Sequence, residues 1–441
     1  MTACAHSSDP YLPGSGDDRF GVDHYDLTIT YRPASNRLDG EARIAATVLD
    51  ETRDVCLDLA GLAVDKVTVD GKRAAKYRHR KGKLHITLPG PKRAGEPLAL
   101  VVTYSGQPQP VSGVWGDVGW EELSEGALVA GQPNGAPSWF PCNDRPSDKA
   151  TYRIGVTCDS PFTVIANGAL VERRAGASTT TWRFEQPEPM ATYLATVQIG
   201  HYDLREIETT TPRQLIARPA RLAAATRREF ARQGEMMRCF EELFGPYPFG
   251  AYTVVVTDDP LEIPLEAQGM STFGANQVDG RRGQERLVAH ELAHQWFGNS
   301  LTIERWSDIW LNEGFACYAE WLWSERSGGP SAQACAQRYW KRLRDADQDL
   351  LLVDPGPESM FDDRVYKRGA LALHAVRGAL GSDAFFGWLR SWVADHRHGT
   401  VSTAAFRDHL AAHADVSEVV SRWLDRPEVP SLPTVSGDRA S

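Results

Sequence analysis

Between about residues 20 and 203, apolar and polar side chains alternate one for one. Tyr25, Leu27, Ile29 and Tyr31 interleave with Asp26, Thr28 and Thr30. Leu84, Ile86 and Leu88 flank His85 and Thr87, and Leu98, Leu100 and Val102 keep the same step. Successive side chains of a strand point to opposite faces, so this period predicts half-buried strands. Turn signals such as Asp70-Gly71 separate the runs. Residues 72–83 hold Arg73, Lys76, Arg78, Arg80 and Lys81. They read as a solvated hairpin, with an anion-binding patch as the alternative.

The period changes after residue 203. Residues 222–244 read as one long helix with Phe230, Met237, Phe240, Leu243 and Phe244 on its apolar side, ended by Gly245-Pro246. Residues 251–257 form a β-branched strand, and from Gly283 to Trp423 the pattern is mainly helical. The pattern therefore predicts a multi-domain α+β chain. Residues 1–203 form a β domain, and residues 204–441 a mainly helical one with a frayed, proline-containing tail.

Within the helical part, Arg286, Leu287, Val288, Leu292, Trp296 and Phe297 describe a largely buried helix that Gly298-Asn299-Ser300 stops. That helix carries His290-Glu291-Leu292-Ala293-His294. Two histidines four apart lie on one face, so one ion can accept both imidazoles. A catalytic zinc takes three protein ligands at roughly 2.0–2.2 Å and leaves a position for water. Glu291 then lies beside the ion, placed to take a proton from that water. A second apolar run from about Ser307 carries Glu313 inward among Trp310, Phe315, Tyr318, Trp321 and Trp323. Glu313 is read as the third ligand, or else as a structural carboxylate on that helix.

The 441 residues suggest two to four domains, and 42% hydrophobic with 24% charged residues is an ordinary soluble composition. A net charge of -10 argues against non-specific nucleic-acid binding. Residues 1–21 lack the basic and apolar regions of a secretory signal, and no run approaches the roughly 18 apolar residues of a membrane span. Seven scattered cysteines, odd in number and without a CxxC pair, predict reduced thiols in a cytoplasmic protein. Cys317, four residues past Glu313, reads as a packing residue rather than a ligand.

These residues resemble a known family. HExxH, with a glutamate eighteen residues on inside Trp310-Leu311-Asn312-Glu313-Gly314, looks like the zinc aminopeptidases related to aminopeptidase N and leukotriene hydrolase. Phe140-Pro141-Cys142-Asn143-Asp144-Arg145-Pro146 with Lys149-Ala150 resembles the family's FPCxDEPxxKA segment, with Arg145 where Glu is usual. Tyr366-Lys367-Arg368-Gly369 resembles its YxKG, with Arg368 in place of Lys. The resemblance implies an N-terminal β-saddle domain followed by a thermolysin-like catalytic domain. It implies one zinc ion on His290, His294 and Glu313, with Glu291 as general base and Tyr366 holding the oxyanion. It implies that Glu320 supports the metal site from behind; Asp308 either does the same or caps a helix.

The family's GxMEN segment grips a substrate's free α-amine. The matching stretch, Ile263-Pro264-Leu265-Glu266-Ala267, keeps the acid as Glu266 but replaces Gly, Met and Asn with Ile263, Leu265 and Ala267. Gln132 matches a second amine-meeting position. The family's C-terminal helical domain has no counterpart, so an open cleft or closure by a second subunit is expected, as a monomer or a homodimer. The implied activity is removal of N-terminal residues from peptides with a free N-terminus. The alternatives are an endopeptidase, a leader-peptide trimming enzyme or a non-peptide (epoxide) hydrolase with the same kind of site. A catalytically dead binding module is disfavoured by the presence of all five residues His290, Glu291, His294, Glu313 and Tyr366.

Overall fold

The computed structural model describes residues 6–74, 76–207 and 212–432. Most of the expected frayed tail, residues 433–441, lies outside them. The chain packs as two compact units, one of residues 1–223 with 249–277 and the other of residues 224–248 with 278–441. A cut after residue 203 follows the change in sequence period; the packing groups the segments differently, because strand Ala251–Val256 pairs in parallel with Arg213–Arg218.

The first unit is built on an eight-stranded sheet. Phe20–Arg32 lies at its middle, antiparallel to Arg37–Val48 and parallel to Ala150–Asp159. Tyr25, Leu27, Ile29 and Tyr31 are buried, as the alternation required. Tyr25 stacks on Tyr152 at 4.9 Å and meets Phe140 edge-on at 5.5 Å. The basic run is indeed a solvated hairpin. Lys76–Arg80 pairs with Lys83–Lys92 across Lys81-Gly82, both at positive φ (51° and 70°), the conformation that matches strand twist in a two-residue loop.

A further five-stranded sheet of this unit runs Asp203–Ile207, Arg213–Arg218, Ala251–Val256, Met270–Phe273 and Leu265–Ala267. Leu265–Ala267 is its edge strand, with Glu266 opposite Ser271. The segment around Cys142 is buried and tightly bonded. Cys142 and Asp58 exchange backbone hydrogen bonds (2.7 and 3.0 Å), and Asn143 Nδ2 donates to Asp148 at 2.6 Å. Arg145, where Glu is usual, has its own acid: its guanidinium pairs with Asp18.

The second unit is helical. The single helix expected over 222–244 is two, Ala223–Glu229 and Gln233–Phe244. At the break, the buried Glu229 carboxylate accepts from the backbone of Arg282 and Gln284 (3.0 and 3.1 Å). The histidine helix is shorter than expected, Glu285–Ala293, and His294 is its cap residue. The expectation of all-reduced thiols is also corrected. Cys142, Cys158, Cys239, Cys317 and Cys335 are free and buried, but Cys56 is disulfide-bonded. Scattered spacing carries no signal for a pairing made by the fold. Among the described residues no helix is long and apolar enough to cross a membrane.

Candidate metal and substrate site

The histidine helix (Glu285–Ala293) and the helix Trp310–Arg326 pack together inside the second unit. Every residue of the latter from Trp310 to Trp323 is buried, so Glu313 cannot reach solvent and needs partners. It finds both imidazoles. His290 Nε2 and His294 Nε2 each lie 3.4 Å from Glu313 Oε2. The histidine rings are 4.7 Å apart and nearly perpendicular, so both nitrogens reach one point. Tetrahedral arms of roughly 2.0–2.2 Å put ligand atoms about 3.4 Å apart. The donor set thus has the chemistry and the edge length that zinc requires. Glu291 is buried in the same helix turn.

The other ring nitrogens are also occupied, and that fixes which nitrogen faces inward. His290 Nδ1 meets Glu320 Oε1 at 2.8 Å, and His294 Nδ1 meets the Phe297 carbonyl at 3.0 Å. Glu320 lies seven residues, two turns, past Glu313, so both carboxylates face the histidine helix. Arg286, one turn before His290, donates to the same Glu320 oxygen at 2.9 Å. Burial lowers the His290 pKa, but hydrogen bonds to Glu313 and Glu320 more than offset this and hold it up at about 9. Burial raises Glu313, yet the two imidazoles bring it down to about 2, so the carboxylate stays ionised.

Three glycines shape the site. Gly298 has φ of +116°, and a Cβ there would sit 3.3 Å from His294 Nδ1. Gly314 and Gly369 face each other across two helices: a Cβ on Gly314 would lie 2.8 Å from Gly369 Cα. This close approach packs Asp363–Leu380 against the Glu313 helix. It brings Tyr366 in, its ring parallel to His290 at 6.0 Å. Asp308 is tied to Thr403, accepting from its N–H (2.9 Å) and its hydroxyl (2.6 Å) at the start of helix Thr403–Ala411. The cap residue of that helix is Ser402, so Asp308 ties to its first residue from a distant segment and caps neither that helix nor Trp310–Arg326.

Gln132 and Glu266 meet in the first unit, 134 residues apart in sequence: Gln132 Nε2 donates to Glu266 Oε1 at 2.6 Å. Glu266 stands on the edge strand and is half-buried, and the hairpin behind it is anchored by Gln268 Nε2, which donates to the carbonyls of Glu188 and Pro189 (3.2 and 3.3 Å).

Residues 22–194 match the peptidase M1 N-terminal domain, and residues 228–423 the peptidase family M1 domain. An M1 zinc metallopeptidase from Deinococcus radiodurans has a similar structure, with 31% identity and a TM-score of 0.89 over 98% of this chain and 100% of that one. The chain belongs to peptidase family M1. It is 24% identical to leukotriene A-4 hydrolase of Xenopus laevis over 95% of its own length and 73% of that protein. It is 26% identical to aminopeptidase M1 of Arabidopsis thaliana over 69% of its length, spanning only 37% of that longer protein. It is therefore a zinc metallopeptidase by family, with a β-rich N-terminal domain followed by a helical catalytic one.

Sequence reasoning missed several contributors to this M1 site. Arg286 lies four residues before His290, so the helical period alone could have placed it on the same face. The Phe297 carbonyl carried no signal, because a backbone group has no residue type. Lys367, beside Tyr366, is buried and donates to Cys317 Sγ at 3.4 Å. Cys317 is thus the packing residue expected, with a lysine partner that was not.

Proposed function

We propose that this M1 peptidase removes the N-terminal residue from peptides with a free α-amine, with His290, His294 and Glu313 holding one zinc ion. When bound, zinc supplies a Lewis acid for the scissile carbonyl and makes a water more acidic. Glu291 takes the proton of the attacking water on its carboxylate and passes it to the leaving nitrogen. The Tyr366 phenol donates a hydrogen bond to the developing oxyanion without carrying charge itself. Glu320, with Arg286 behind it, and the Phe297 carbonyl keep the two imidazoles from turning. Asp308 supports the site only indirectly, by fixing Thr403.

The observation that carries the aminopeptidase reading is the pairing of Gln132 with Glu266, which stands on an edge strand. A half-buried carboxylate pairs with a substrate ammonium, and the amide orients it. The edge strand offers backbone groups to an extended peptide. The replaced neighbours Ile263, Leu265 and Ala267, with Ile263 63% exposed, favour one alternative: a zinc hydrolase of the same site type that is indifferent to the amine. A panel of aminoacyl amides and N-acetylated peptides separates the two readings. Amine reading requires that acetylation abolish cleavage; equal cleavage of both forms removes Glu266 and Gln132 from the substrate site. Chelation should abolish either activity and added zinc restore it. We also propose a cytoplasmic setting from the five free, buried thiols among the described residues.

A further inference from the structure

The first unit holds a partly open cavity of about 700 Å³ that the proposed chemistry does not use. Small-molecule pockets span roughly 300–1,000 Å³ and are mostly apolar with a few placed polar groups. This one fits that description. Its walls come from strands Thr163–Ala166, Ala169–Ala175, Thr179–Met190 and Arg213–Arg218, with Phe249 and the turn at Gly269. None of the residues assigned to zinc or to the substrate amine lines it. Ile165, Trp182, Phe184 and Phe249 are buried within it. Leu170 and Leu204, at 46% and 39% exposure, extend the apolar wall outward.

The polar lining sets the head group. Glu185 is already paired, accepting from Arg153 at 3.2 and 3.1 Å. Glu188 accepts from Gln186 at 2.8 Å. Arg213 is paired with Glu206 at 3.0 Å. Arg173 differs. Among the described residues no carboxylate pairs with it, and its guanidinium lies 5.9 Å over the Trp182 ring. Arg173 is thus the lining's one cation without a carboxylate partner among the described residues, held against an aromatic wall. The Tyr202 hydroxyl, on the same lining, is buried without a hydrogen-bond partner among the described residues.

We propose that this cavity binds an amphipathic monocarboxylate, its aliphatic or aromatic body against Trp182, Phe184 and Phe249 and its carboxylate on Arg173. A guanidinium receives a carboxylate through two parallel hydrogen bonds, which an alcohol or an amine cannot reproduce. The volume suits a small molecule rather than a folded partner. The site stands apart from the peptidase reading, since no residue is shared and binding can be measured without turnover.

The test is calorimetric titration of the zinc-loaded full chain with decanoate, decanol and decylamine, each below its aggregation concentration. Decanoate should bind with one-to-one stoichiometry, and decylamine should bind at least about tenfold more weakly. Arg173→Gln, an exposed position, should weaken decanoate about tenfold and leave decanol unchanged. Ala169→Trp, also exposed and on the lining, should block all three while leaving the melting temperature in place. The proposal is overturned if decanoate shows no saturable binding, if decylamine binds as well as decanoate, or if Ala169→Trp leaves binding intact.

Discussion

At the scale of single residues, what matters is which atom each side chain presents. Glu291 is buried beside two histidines and belongs to neither of their Nδ1 contacts. Glu291→Gln keeps size and shape but loses the basic oxygen. Its kcat should fall about 10²–10⁴-fold, while zinc measured by atomic absorption stays stoichiometric. Loss of zinc in that variant would make Glu291 a ligand instead. Glu320 acts through His290. Glu320→Gln should weaken zinc about 10–100-fold, read by competition with a chelator, with kcat at saturating zinc much less affected. An unchanged zinc affinity would reduce the 2.8 Å contact to a structural hydrogen bond. Glu266→Gln should raise KM for free-amine peptides more than it lowers kcat, and narrow the gap to acetylated ones. A variant that keeps full discrimination would take amine recognition away from Glu266.

At the scale of elements, the site depends on two helices being closer than ordinary side chains allow. Gly314 and Gly369 are both in helices, where glycine is a poor choice by propensity, so their value lies in the contact. Gly369→Ala should destabilise the protein by about 1–3 kcal/mol through overpacking and lower kcat by moving Tyr366 from beside His290. Denaturant titration and steady-state kinetics check the two effects separately; a stabilised Gly369→Ala would mean that the helices can part without loss. The same scale shows what the sequence could reveal. Strands Phe20–Arg32 and Lys83–Lys92 were legible because period two is set by one face being buried. His290 and His294 were legible because a helical contact at four residues is local, whereas Glu313 and Glu320 stand on another helix and their roles came through resemblance. The break after Glu229 was not, since it accompanies a carboxylate bonding to backbone more than fifty residues on. The Gln132–Glu266 contact, over 134 residues, had no local sign at all and came only through resemblance.

At the scale of the whole molecule, the buried segment around Cys142 makes stability depend on pH. Asp144 is buried, accepts from Thr192 Oγ1 at 2.6 Å, and lies beside Asp58, whose charge Lys83 meets. Burial first, and the neighbouring Asp58 second, push the Asp144 pKa from 3.8 to about 7. Asp148 is raised likewise to about 6, mainly by burial. An acid whose folded pKa is raised keeps its proton in the folded state where the unfolded chain has released it. Its stabilising share is complete below the unfolded value and is lost as pH climbs through the folded one. From Asp144 alone, stability should therefore fall between about pH 4 and pH 7. Asp144→Asn is uncharged at every pH and keeps an oxygen for Thr192. Relative to the parent it should gain stability as pH rises across that window, whatever the other carboxylates do to both proteins. Denaturant melts of the zinc-saturated pair at about pH 5 and about pH 7.5 measure that difference directly. Parallel losses in the two proteins would mean that Lys83 neutralises the Asp58–Asp144 pair together, and that Asp144 is ionised in the folded state throughout the range.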